Sequence, residues 1–123
     1  MIKKAIHKKL DTIDLIPFVE SFEKTYLRLA DTVRSRVIVG DSEEGKQSAA
    51  KANSLLLSLN KIVPLLDKES ARNVQTHKES AIEQIERLNR NQVPDLNNIL
   101  SNLDRIDQIL RSCADKMKKE WDE

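Results

Sequence analysis

Apolar residues near the C-terminus recur at alternating spacings of three and four residues, which predicts an amphipathic helix. A period of 3.5 residues is the pattern by which one helix packs against others through knobs and holes. The members of this seam are Leu96, Ile99, Leu103, Ile106, Leu110, Cys113 and Met117. We expect the helix to begin at Pro94 and to end near residue 120, because proline is well tolerated in a first helical turn.

The same spacing recurs, less regularly, in three earlier segments. They cover Val19 to Val33, Ala52 to Leu66 and Ala71 to Leu88. Pro17 is expected in the first turn of the first segment, behind a cap at Thr12 or Asp14. Residues 1–11, with apolar residues at i, i+4 spacing among four lysines, predict a separate short amphipathic helix.

Four segments of comparable length joined by short connections are typical of an up-down-up-down helical bundle. We therefore predict one all-α domain over residues 1–123, a four-helix bundle with coiled-coil-like heptad packing and a short N-terminal helix. In the last helix leucine occupies three of the four a positions, with Met117 at the fourth, and isoleucine occupies most d positions, which favours four strands over two. The pattern leaves open whether one chain supplies all four helices or two hairpins associate.

Composition narrows the classes of function. Twenty-one basic and twenty acidic residues leave a net charge of +1, so a nucleic-acid partner is not expected. The single Cys113 cannot form an intramolecular disulfide, which favours a reducing compartment, and a cytoplasmic protein is predicted. One cysteine and two histidines are too few for a metal site, and no cofactor is expected.

One hexapeptide suggests an enzyme. The run from Arg72 to His77 has the form R-N-x-x-x-H and resembles the motif of HEPN ribonucleases, small helical domains. The resemblance implies RNA cleavage, with His77 transferring protons and Arg72 steadying the phosphate. On a continuous helix the two positions point about 140° apart, and the resemblance covers six residues only. Arg72 and His77 are therefore an alternative catalytic pair, and the leading hypothesis has no catalytic residue.

Aromatic residues and the N-terminal lysines suggest binding surfaces. Phe18, Phe22 and Tyr26 form an i, i+4, i+8 stripe that fits either bundle core or an anchor for a partner helix. Trp121 follows the last heptad and is predicted to dock on a partner or on the bundle end. A second alternative is an adaptor that binds anionic membrane surfaces through residues 1–11.

These observations favour a non-enzymatic protein–protein interaction module, a helical subunit or adaptor of a larger complex. Its partners would be proteins, in a homo-oligomer or a helical hetero-complex, and apolar heptad faces would form the contact. The predicted packing and interface residues are Phe18, Phe22, Tyr26, Leu96, Ile99, Leu103, Ile106, Leu110 and Trp121.

Overall fold

The structure is a computed structural model that describes the backbone of residues 2–122 and the side chains of residues 15–119. Within that range it contains helices and no strand, which confirms the all-α prediction. The helices are α1 (Ile2–Ser35), α2 (Glu43–Ser58), α3 (Lys68–Glu86) and α4 (Leu96–Asp122), with short 3₁₀ turns at Leu59–Lys61, Val63–Leu65 and Arg87–Arg90. None of the helices in the described part of the chain has both the length and the apolar character needed to cross a lipid bilayer.

The first helix is continuous, so the prediction of a separate helix over residues 1–11 is wrong. α1 runs through Pro17, which was expected to mark a helix start. Proline removes one backbone hydrogen bond from a helix interior. Here Pro17 is exposed, while Leu15 and Val19 on either side are buried, so the lost bond lies on the solvent side and packing holds the helix together.

Short polar side chains begin the other helices. Ser42 caps α2 by accepting a hydrogen bond from the Gly45 amide at 2.9 Å. Asp67 caps α3, and its hydrogen bonds from Ser70 hold the pKa of the carboxyl below its usual value. Asp95 accepts from the Asn98 amide, so α4 begins just after Pro94.

All four helices take part in one core, and α4 contacts each of the other three. The contact between α3 and α4 is the most extensive, and that between α1 and α2 is much smaller. Large side chains buried almost completely include Leu15, Phe22, Leu56, Leu59, Val74, Ile99, Leu103, Ile106 and Leu110. Each contact of α2 with another helix is smaller than those that α4 makes with α1 and with α3.

The buried stripe of α4 departs from the predicted heptad towards its C-terminal end. Leu103 and Leu110 are fully buried, but Cys113 and Met117 are half-buried and Ala114 takes the buried place. Met117 lies 18 residues, or about five turns, after Ile99, so the two residues lie on the same face of α4. Because Ile99 is 1% exposed, the half-burial of Met117 reflects the end of the buried stripe along α4 and not a rotation of the helix.

One lysine lies in the core region. Lys78, at a seam position of α3, is 8% exposed, and its ammonium group donates a hydrogen bond to Asn60 Oδ1 beyond the end of α2. A buried ammonium without a partner is strongly unfavourable. The amide oxygen of Asn60 therefore makes the position tolerable and ties α3 to the turn that follows α2.

Candidate functional site

An open groove of about 610 Å³ lies between α1 and α2. Its apolar floor is formed by Phe18, Phe22, Leu29 and Leu55, and its walls carry mainly serine and threonine hydroxyls. Such a volume with an apolar lining is within the range of protein ligand sites. The groove therefore combines the size and the chemistry of a binding surface.

The groove follows from the small side chains on the facing side of α2. Ser48 and Ser58 line it there, and Ala49 and Ala52 lie on the adjoining buried face. Small side chains cannot fill the space in front of the aromatic rings of α1. Phe18 is consequently half-buried, whereas a ring in a filled core would be fully covered.

The structure divides the predicted aromatic stripe between the groove and the core. The rings of Phe18 and Phe22 stack with centroids 6.1 Å apart, and both line the groove. Tyr26 faces α4 instead, where its hydroxyl donates a hydrogen bond to Asp104 Oδ1 at 3.2 Å. Of the three rings only that of Phe18 is half-buried, whereas Phe22 and Tyr26 are buried.

The predicted interface residues of α4 are already buried within the chain. All five are buried, at 8% exposure or less: Leu96, Ile99, Leu103, Ile106 and Leu110. The side chains of Trp121 and of residues 1–11 lie outside the described residues, so the docking of Trp121 and the membrane-surface hypothesis stay predictions.

A second, more polar cleft of about 380 Å³ lies between α3 and α4. His77 and Asn73 line it from α3, and Arg105 lines it from α4. Arg72 is exposed and is not part of this lining. Within one chain the structure thus places Arg105, and not Arg72, in the cleft with His77, and the ribonuclease hypothesis stays a prediction.

A buried amide sets the hydrogen bonding of His77. Asn102, 9% exposed, directs Nδ2 at Ser80 Oγ (3.2 Å) and at Asn98 Oδ1 (2.9 Å). Its Oδ1 then lies 3.0 Å from His77 Nδ1. Because an amide oxygen only accepts, Nδ1 of His77 must carry the proton, which leaves Nε2 as the free ring nitrogen.

We expect neutral His77 to be the Nδ1–H tautomer, which long-range ¹H–¹⁵N spectra distinguish from the Nε2–H form. The spectra are simplest in a His7→Gln background, which leaves one histidine. Asn102→Ala should shift the tautomer equilibrium of His77 towards the Nε2–H form. Asn97→Ala, at an exposed position of α4, should leave that equilibrium unchanged. A wild-type Nε2–H signal would contradict the assignment.

A cluster of carboxylates lies where α1 packs on α4. Asp107 is 2% exposed; its Oδ2 accepts from Arg111 Nε at 3.1 Å, and its Oδ1 has no partner. Burial, and to a smaller extent Glu23 and Asp104, raise the pKa of Asp107 to about 6 against the opposing effect of Arg111. Burial, and then Asp104, also raise the pKa of Tyr26. In the ion pair with Arg111 the carboxylate of Asp107 is buried, whereas Arg111 is exposed.

The carboxylate cluster does not form a metal site. Among the described residues, no three His, Cys, Asp or Glu side chains are arranged to hold a metal ion.

Comparisons of the chain with protein-family models, curated proteins and solved structures gave no match.

Proposed function

We propose that this protein is a non-enzymatic interaction module that receives a helix of a partner protein in the groove between α1 and α2. The observation that carries the proposal is the groove itself, which is open and is lined by the half-buried ring of Phe18 beside the buried Phe22 and Leu55. The other apolar seams are already buried within the chain. A partner therefore meets α1 and α2, and not the heptad face of α4.

The dimensions of the groove suit a helix. Its lining extends from Phe18 to Thr32 on α1 and from Ser48 to Ser58 on α2, which correspond to about 21 and 15 Å of helix at 1.5 Å per residue. An amphipathic helix of three to four turns, roughly 10–14 residues, matches that length. Helices bind such grooves through apolar anchors at i, i+3, i+4 and i+7.

The proposal includes the arrangement of the helices. We propose that α1 to α4 alternate in direction, because the connections between them are short. A helix seated in the groove would then pack against both α1 and α2, as a helix does within a bundle. The module would act as a subunit or adaptor that completes its packing with a helix from another protein.

Blocking the groove is expected to abolish binding. In the variant Ser21→Glu/Ser54→Glu, two exposed residues of the lining become carboxylates beside the apolar floor. The probe is a fluorescent helical peptide of roughly 14 residues with leucine anchors and otherwise uncharged residues. We expect its affinity to fall about tenfold or more, because anchors would then be buried against charge.

Ser101→Glu, an exposed position on α4, serves as the matched control and should bind like the wild type. Equal binding by wild type and double variant would overturn the proposal. Sedimentation of the chain alone tests one other occupant. A dimer that dissociates in the double variant would show that a second copy, and not a different protein, fills the groove.

A further inference from the structure

The groove between α1 and α2 carries charge of one sign. Arg28 on α1 and Lys51 on α2 are exposed and line it, and no carboxylate is among its lining residues. The chain as a whole is nearly neutral, at +1. A lining with two cations and no anion is therefore a local departure from the composition of the protein.

The two cations lie at one level of the groove. α1 ends at Ser35 and α2 begins at Glu43, so positions equally far from this turn are neighbours when the helices run in opposite directions. At 1.5 Å per residue, Arg28 and Lys51 both lie about 11–12 Å from the turn. By the same count, Phe22 and Leu55 both lie about 18–20 Å from it. The two cations thus lie about one and a half turns nearer the connection than Phe22 and Leu55, at the level of the buried Leu29.

Resting on the function proposed above, we infer that the partner helix is acidic at one end. Aspartate or glutamate side chains about one and a half turns from its apolar anchors would reach Arg28 and Lys51 on opposite walls. The apolar anchors would begin at the level of Phe22 and Leu55, which are buried, and would extend to the half-buried ring of Phe18. A helix with lysine or arginine at that end would be rejected, since like charges oppose binding.

The charges are expected to add specificity more than affinity. Both cations are solvent-exposed, and exposed ion pairs contribute little individually and are screened by salt. Two such pairs correspond to roughly a five- to tenfold preference for an acidic over an uncharged helix at low salt. The preference should shrink as ionic strength rises.

Three peptides with one apolar face test the inference. They carry glutamate, glutamine or lysine at the end meant for the cations, and fluorescence anisotropy measures their affinities. For the wild type we expect the order glutamate, then glutamine, then lysine. Arg28→Glu/Lys51→Glu should reverse the order, whereas Arg90→Glu/Lys118→Glu, which changes two exposed cations outside the groove lining, should keep it.

The outcomes separate the two proposals. If all three peptides bind the wild type equally, and Ser21→Glu/Ser54→Glu abolishes their binding, the inference of an acidic partner helix is overturned and the proposal that the groove binds a helix is supported. A preference for glutamate that persists in Arg28→Glu/Lys51→Glu would also overturn the inference. Binding of no peptide would overturn both.

Discussion

Asp107→Asn is expected to stabilise the protein at pH 7 by about 1–3 kcal/mol and to remove most of the pH dependence of its stability between about pH 4 and 7. Asp107 is 2% exposed, and one of its carboxylate oxygens has no hydrogen-bond partner. A buried charge with incomplete pairing costs more than a neutral amide of the same shape.

The sign follows from the pKa. Burial raises the pKa of Asp107 from 3.8 to about 6 in the folded protein, so the folded state binds the proton more tightly than the unfolded chain does. The stabilisation from this group is complete below about pH 4 and is lost as the pH rises through about 6. At 1.36 kcal/mol per pKa unit, the full loss is about 3 kcal/mol.

Urea unfolding of wild type and variant across this pH range measures the effect. The control is Asp115→Asn, an exposed position on the same helix, which should change the free energy of unfolding by less than about 0.5 kcal/mol. The account of Asp107 would be wrong if Asp107→Asn were less stable than the wild type at pH 7, or equally dependent on pH.

Periodicity predicted the helices better than their ends or their polar contacts. The all-α class follows from local pattern. The continuity of α1 through Pro17 does not, because burial of Leu15 and Val19 against other helices outweighs the missing hydrogen bond. A local rule for proline cannot include that tertiary contribution.

The candidate sites depended on distances that periodicity does not set. The aromatic stripe pointed to one wall of the groove through Phe18 and Phe22, but nothing indicated Arg28 or Lys51. How closely α1 approaches α2 depends on the side-chain sizes of both helices at once. Residue spacing within one helix therefore predicts the face that packs, and not the space left open.

The heptad pattern of α4 contains a signal for the burial of Asp107. Leu100 lies at an e position of the α4 heptad, beside the seam, and is buried. Asp107 occupies the next e position. Since α4 contacts three helices, its buried stripe is wider than a two-helix seam, and polar residues in flanking positions are drawn into the core.

The end of the buried stripe on α4 predicts unequal losses at two equivalent heptad positions. Leu110 and Met117 both occupy position a, but Leu110 is fully buried and Met117 is half-buried. We expect Leu110→Ala to lower the free energy of unfolding by about 2–5 kcal/mol, because it leaves a cavity in the core. Met117→Ala should cost about 1 kcal/mol, because fewer of its contacts are lost.

Urea denaturation of the two variants measures how far the core extends along α4. In a heptad seam that is packed along its whole length every a position faces the core, so the two losses would be similar. In this structure Met117 follows Ala114, the last buried residue of the described part of α4. Equal losses would therefore contradict the half-burial of Met117, and a much smaller loss at Met117 would support a core that ends near Ala114.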